Sequence, residues 1–219
     1  MKVELVIFDM DGLMIDTEPI SKEGWQMAFD RYGYKMDHEF FKLLVGRNLD
    51  AVKQLLCEHY GPGFDFEKVR DIRIAHVHNH IEQHGLDMKK GLIYILDRLD
   101  KLKIKKCVAT STDWDGMTKK LGSLNLLERF DGFMTGDRVE NSKPNPEIFL
   151  KAAKLVNVSP ASSVVLEDSP AGIAAAHAAG MRGILIPDTI PPDKETLALS
   201  YARCKDLTEA AELIEKLCK

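Results

Sequence analysis

The sequence predicts an α/β fold: a doubly wound, Rossmann-like parallel sheet with an all-helical cap inserted after its first strand. Three observations carry this. Short β-branched apolar runs recur and end on polar or acidic residues, helix-period segments separate them, and residues 16–88 break the rhythm with helical patterns alone. Alternating strands and helices indicate a parallel sheet covered by helices. A chain of 219 residues suits one compact domain plus an insertion better than two full domains of about 150 residues each.

The first run, residues 3–8 (VELVIF), ends at Asp9, as a buried parallel strand does when it delivers a side chain at its carboxyl end. The same design recurs at 104–109 before Thr110, at 163–166 before Glu167-Asp168, at 183–186 before Pro187-Asp188, and more weakly at 132–135 before Gly136-Asp137. Between them, helical periodicity covers roughly 90–102, 114–122, 146–156 and 170–179. The last of these is well punctuated, with Ser169 to cap it, Pro170 at its first turn and Gly180 to stop it. Its small-sided body can lie close to the sheet. Within the insertion, helical patterns fall near 19–32, 37–44, 50–59 and 65–83.

Composition narrows the function. Apolar residues make up 45 % and charged residues 29 %, an ordinary globular balance. The net charge of −4 resides in the insertion, which has 9 basic against 13 acidic residues, while the remainder carries 21 of each. A nucleic-acid clamp would show a basic excess, so none is expected. No apolar run is long enough for a membrane span or a signal peptide, which argues against a membrane and for a cytosolic location. Cys57, Cys107, Cys204 and Cys218 form no CxxC pair and read as reduced, packed thiols.

In a parallel sheet all the carboxyl ends share one edge, where ligands bind. That edge would gather Asp9 and Asp11, with Gly12 turning the chain sharply away, and Glu167-Asp168 across from them. Clustered carboxylates repel unless a hard cation sits among them, and Mg²⁺ prefers oxygen ligands together with phosphate oxygens. Thr110 and Ser111 offer hydroxyl and backbone donors, and Lys143 offers a point charge suited to phosphate. Acids, Mg²⁺, lysine and hydroxyls together indicate phosphoryl transfer. A merely solvated turn at Asp9 and Asp11 fits poorly with three matching strand ends.

In order and spacing, Asp9-Met10-Asp11-Gly12, Thr110, Lys143 and Glu167-Asp168 resemble the four motifs of the haloacid dehalogenase superfamily. The helical insertion after the first motif is similar to the subgroup holding β-phosphoglucomutase and sugar-phosphate phosphatases. The resemblance implies Asp9 as the nucleophile that accepts the phosphoryl group, and Asp11 as the acid that protonates the leaving oxygen and then activates water. It implies Mg²⁺ held by the Asp9 carboxylate, the Asp11 carbonyl and Asp168, with Glu167 in contact or one layer behind. Thr110, Ser111, Lys143 and Gly12 would surround the phosphoryl group, and Arg47 in the cap would meet the distal end of the substrate. It also implies a core of residues 1–15 and 89–219, a cap of 16–88, and hinges near 14–17 and 85–90. Cap closure would then exclude water and select small phosphorylated metabolites; nothing in the sequence demands more than a monomer.

Two departures separate the chain from the mutases. Ser21 stands where they have a cap histidine, and Asp113 stands where a basic residue follows the motif-two hydroxyl. Loss of two cationic partners favours a phosphatase over a mutase. A dehalogenase is disfavoured because Asp11 is present, and a non-catalytic binding protein on the same fold is disfavoured by the intact Asp9–Asp11 pair. His76, His80 and His84 share a helical face, but no acid or cysteine completes a metal site, so they read as a solvated or partly packed face. Trp25, Phe29 and Phe40 are expected in the cap interior.

Overall fold

The structure is a computed structural model that describes residues 2–36, 40–41, 43–44, 47, 49–188 and 191–218. Six parallel strands form one sheet in the order β3-β2-β1-β4-β5-β6. They are β1 (Leu5–Phe8), β2 (Lys105–Ala109), β3 (Gly132–Met134), β4 (Ser163–Glu167), β5 (Arg182–Leu185) and β6 (Ala202–Arg203). The five anticipated strands are present with ends shifted by up to two residues. β6, only two residues long, has no apolar run to announce it.

Strand β1 is central, and all four of its side chains are buried. Phe8 lies beside Val108 of β2 and Leu166 of β4. This register brings Asp9, Ala109 and Glu167 to one level at the carboxyl edge, where the strand order reverses between β1 and β4. Side chains alternate between two packed layers. Leu5, Ile7, Cys107, Ala109 and Val165 face one layer with α6 (Glu147–Leu155) and α7 (Pro170–Ala178). Val6, Phe8, Val108, Val164 and Leu166 face the other with α4 (Leu92–Leu102), α5 (Trp114–Ser123) and α9 (Leu207–Leu217). A short α8 (Lys194–Leu199) precedes β6. Ser169 caps α7 by accepting from the Gly172 N–H at 3.0 Å, and Gly180 follows it with a left-handed φ of 69°.

The inserted segment carries α1 (Glu18–Tyr32), α2 (Leu49–Tyr60) and α3 (Phe66–His84), with no strand among its described residues. Residues 37–39 and 42 of the helix expected at 37–44 lie outside the described residues. Trp25, Phe29, Phe41, Leu56 and Val69 centre a separate apolar cluster, against which Phe40 packs half-buried. The two linkers run antiparallel: the Lys89 N–H donates to the Met14 carbonyl and the Asp16 N–H to the Asp87 carbonyl, both at 2.9 Å. Lys89 Nζ joins them to the sheet edge, bonding Asp16 at 3.0 Å and Asp188 at 2.6 Å. Among the described residues no helix is long and apolar enough to cross a membrane, and all four cysteines are free thiols.

Candidate active site

Asp9 leaves the end of β1 into a buried carboxylate cluster. One ligand oxygen each from Asp9, Glu167 and Asp168 lies within 4.8 Å of the others. Lys143 Nζ reaches into this cluster and donates to Asp9 Oδ1 at 2.5 Å, to Glu167 Oε1 at 2.6 Å and to the Ala109 carbonyl at 3.2 Å. Its side chain is only 2 % exposed. A lysine enclosed this way stays charged: burial alone would lower its pKa, but the charges of Asp9 and Glu167 outweigh burial and raise it.

Glu167 is hydrogen-bonded at both oxygens. Its Oε1 accepts from Lys143, and its Oε2 accepts from the Ser169 N–H at 2.9 Å and the Ser169 hydroxyl at 2.8 Å. The N-terminus of α7 comes so close that a Cβ at Gly172 would collide with the Glu167 carboxyl. Glu167 thus holds Lys143 in place, and its carboxylate stays with those of Asp9 and Asp168 in the group whose oxygens could take a cation.

Gly12 adopts a left-handed φ of 88°, and a Cβ there would strike Asp168. Its N–H is spent on the Ile15 carbonyl at 2.9 Å, so this expected phosphate-binding residue contributes a tight turn and close approach rather than a donor. Burial pushes Asp9 up to about 7, with Glu167 adding to the shift and Lys143 only partly offsetting it. Burial and the charges of Glu167 and Asp9 also hold Asp168 well above the usual carboxylate range. An all-oxygen donor set that resists ionisation until a positive charge arrives fits a hard divalent cation.

Asp11 faces the other way, toward the helical insertion. Its Oδ1 accepts from the Thr17 hydroxyl at 2.7 Å and from Lys120 Nζ at 2.6 Å, and its Oδ2 accepts from the Thr112 hydroxyl at 2.7 Å. Burial raises the Asp11 pKa, but Lys120 and these hydrogen bonds overcome that and bring it below the ordinary value.

A cavity of about 320 Å³ opens beside Asp9 and Asp11. Thr110, Ser111, Asp168 and Lys120 line its floor, while Trp25, Phe41, Arg73 and Val77 of the insertion line its roof. Thr110 is 1 % exposed, and its hydroxyl accepts from the Thr112 N–H at 3.1 Å. Arg47 also lines the cavity, but it is exposed and its Nε donates to the Leu43 carbonyl at 2.7 Å. On the roof, Arg73 donates to the Ser21 hydroxyl at 3.1 Å, its guanidinium lies 5.1 Å from the Trp25 ring centroid, and its buried Nε has no hydrogen-bond partner. Beside it, burial pushes Glu18 up to about 7, with the charges of Asp11 and Asp188 adding to the shift.

The expected shortage of cations at Ser21 and Asp113 is not realised. Asp113 caps α5, accepting from the Gly116 N–H at 2.7 Å, and Lys120 farther along the same helix supplies the charge. Ser21 holds Arg73, which supplies a second. The spacing of motifs missed both because Lys120 lies two turns further along the helix that Asp113 caps and Arg73 comes from a different helix than Ser21. One signal was available for Arg73: it falls between Val69 and Val77 at four-residue steps, a charge on the buried stripe of α3. The histidine face of α3 offers nothing comparable. His76 lies 3.5 Å from Glu23, the rings of His80 and His84 are 4.9 Å apart, and the three-ligand group among the described residues is the acidic one.

Fold and site define an α/β enzyme whose carboxylate-rich centre is suited to phosphoryl chemistry. The chain belongs to the haloacid dehalogenase-like hydrolase family, which it matches over residues 6–186. It is 32 % identical over 182 residues to the phosphorylated carbohydrates phosphatase of Thermotoga maritima, covering 83 % of this chain and 84 % of that one. It is 30 % identical over 208 residues to the validoxylamine A 7'-phosphate phosphatase of Streptomyces hygroscopicus, covering 94 % and 95 %. Among solved structures, a putative β-phosphoglucomutase from Thermotoga maritima superposes with a TM-score of 0.78 at 28 % identity, covering 98 % of this chain and all of that one. With several named phosphatases among its relatives, the chain is a phosphoric monoester hydrolase.

Proposed function

We propose that the protein is a Mg²⁺-dependent phosphatase of small phosphorylated metabolites, sugar phosphates above all, working through an aspartyl phosphate on Asp9. The observation that carries this reading is the Asp9 carboxylate at 2.5 Å from a buried lysine and within 4.8 Å of two further acids. Asp9 Oδ attacks phosphorus and the bond to the leaving oxygen breaks; the negative charge of the bound phosphate beside Asp11 raises its proton affinity, so that it takes up a proton on binding and delivers it to that oxygen. Water then attacks the aspartyl phosphate and gives its proton to Asp11, and inorganic phosphate departs.

An anionic nucleophile meeting an anionic phosphate needs positive charge placed in advance. Lys143 provides it from the core. Asp9, Asp168 and the Asp11 carbonyl would hold Mg²⁺, which when bound supplies further charge at the phosphoryl oxygens. Thr110 and Ser111 offer donors to the same oxygens, and Arg73 with Arg47 meets the leaving group. Residues 1–15 and 89–219 form the core and 16–88 a cap that closes over the substrate, in a monomeric cytosolic enzyme with no nucleic-acid or membrane partner. The names of the two phosphatase relatives, one of phosphorylated carbohydrates and one of validoxylamine A 7'-phosphate, support the substrate class.

A second reading, a phosphoryl-transfer isomerase, draws support from the two cations that Arg73 and Lys120 bring to the cavity and from the phosphoglucomutase-like neighbour. One experiment separates them. The enzyme is assayed on p-nitrophenyl phosphate, hexose phosphates and pentose phosphates with Mg²⁺ and with EDTA. Phosphate release that requires Mg²⁺ and vanishes in Asp9→Asn supports the phosphatase. Conversion of β-glucose 1-phosphate to glucose 6-phosphate without net phosphate release supports the isomerase, and turnover surviving in EDTA or in Asp9→Asn refutes both.

A further inference from the structure

We propose that Lys120 is a positioning residue for the proton-transfer step, holding the Asp11 carboxylate at the leaving-group side of Asp9. The proposal rests on the phosphatase reading above. Three donors hold Asp11, and they differ in kind and in origin. Thr17 lies on the linker into the insertion and Thr112 in the loop after β2, and both offer neutral hydroxyls. Lys120 alone brings charge. It comes from α5, which packs into the sheet's own apolar layer through Met117 and Leu121.

Lys120 is dedicated to this contact. Its side chain is only 14 % exposed, and Asp11 is its one ion-pair partner among the described residues. Asp11 shares the cavity with Asp9, Asp168 and Glu18, and among the described residues Lys120 is the cation that pairs with it. A charged donor holds a carboxylate more strongly than a neutral hydroxyl does, so two hydroxyls alone would leave it freer to turn toward solvent. A general acid must lie within hydrogen-bond reach of the oxygen it protonates. A linker that moves with the cap would carry Thr17 with it, whereas Lys120, fixed to the core, would keep Asp11 in register throughout.

The consequence depends on the leaving group. An alkoxide needs a proton as its bond to phosphorus breaks, but p-nitrophenolate is stable enough to depart without one. Water attack on the aspartyl phosphate needs Asp11 in either case. Lys120→Met should therefore slow steady-state turnover of fructose 1-phosphate or glucose 6-phosphate by about 10- to 100-fold, a share of what general acid–base catalysis contributes. With p-nitrophenyl phosphate the same variant should release a rapid burst of one p-nitrophenolate per active site, followed by slow turnover. Asp11→Asn should reproduce this pattern, and Lys120→Arg should recover most of the alkyl phosphate rate.

Melting curves of the three variants test folding independently. Loss of the burst together with steady-state turnover in a folded Lys120→Met protein would assign Lys120 to the phosphoryl group itself and overturn the proposal. Unchanged alkyl phosphate turnover would overturn it too, leaving the phosphatase reading intact. Absence of any turnover in the wild type would bring down both.

Discussion

The two ends of the cavity are built on different physical terms. At the phosphoryl end, Lys143, Glu167 and Ser169 are each at most 9 % exposed and hydrogen-bonded to one another. At the end proposed to meet the leaving group, Arg73 is half-buried with an unpaired Nε, Arg47 is exposed, and burial pushes Glu18 up to about 7. The transferring group is the same for every phosphate monoester and can be met by a prepaid, rigid arrangement. The leaving group differs from substrate to substrate, so the roof keeps polar capacity unspent in the free protein.

The strongest way to break this contrast is to remove the lysine at the rigid end. Lys143→Ala leaves Asp9 and Glu167 as buried, unpaired carboxylates, and should cost about 3–5 kcal/mol of stability along with phosphatase activity. Urea unfolding measures the first, and a loss below about 1 kcal/mol would show that the cluster relaxes or protonates cheaply.

Next in size is the response to pH and metal. The folded-state pKa of Asp9, raised from 3.8 to about 7, means that the native protein holds a proton which the unfolded chain releases. The contribution of Asp9 to stability is thus fully present below pH 3.8 and lost as pH rises through about 7. On the proposed function Mg²⁺ would displace that proton, so the gap in melting temperature between Mg²⁺ and EDTA should widen from pH 5 to pH 8. A gap independent of pH would place the metal away from Asp9.

The roof should respond differently. Arg73→Met keeps the stem over Trp25 and removes the charge, so KM for a sugar phosphate should rise about tenfold, or about 1.4 kcal/mol, while melting barely moves. A kcat loss without a KM change would assign Arg73 to the chemistry instead. The smallest effect returns to the rigid end. Ser169→Ala removes the α7 cap and one bond to Glu167, and should cost about 1 kcal/mol, read from the shift in the urea midpoint.

Much of the site was legible along the chain because a parallel sheet turns sequence order into spatial order. Once residues 3–8 read as a buried strand, Asp9 had to emerge at the same edge as Thr110 and Glu167-Asp168, and the register of β1 with β2 and β4 bears this out. Less visible were contacts made by long side chains from helices. Lys120 and Arg73 lie on helices whose periodicity was evident, but which side chain reaches the cavity depends on how each helix is rotated and seated. The C-terminal α9 and strand β6 were also missed; β6 is a two-residue strand at the sheet edge, half-buried at Ala202 and exposed at Arg203, with no apolar run of its own.

Local patterning, then, was enough to determine the α/β class, the inserted helices and the acidic edge, because strand and helix periods and the polar residues that end each run are written in adjacent positions. The tertiary structure alone decided that Glu167 serves Lys143 and Ser169, that Gly12 packs against Asp168, and that Asp11 is held by a lysine 109 residues away. Such choices depend on distances between elements, which close packing sets only when all of them are in place.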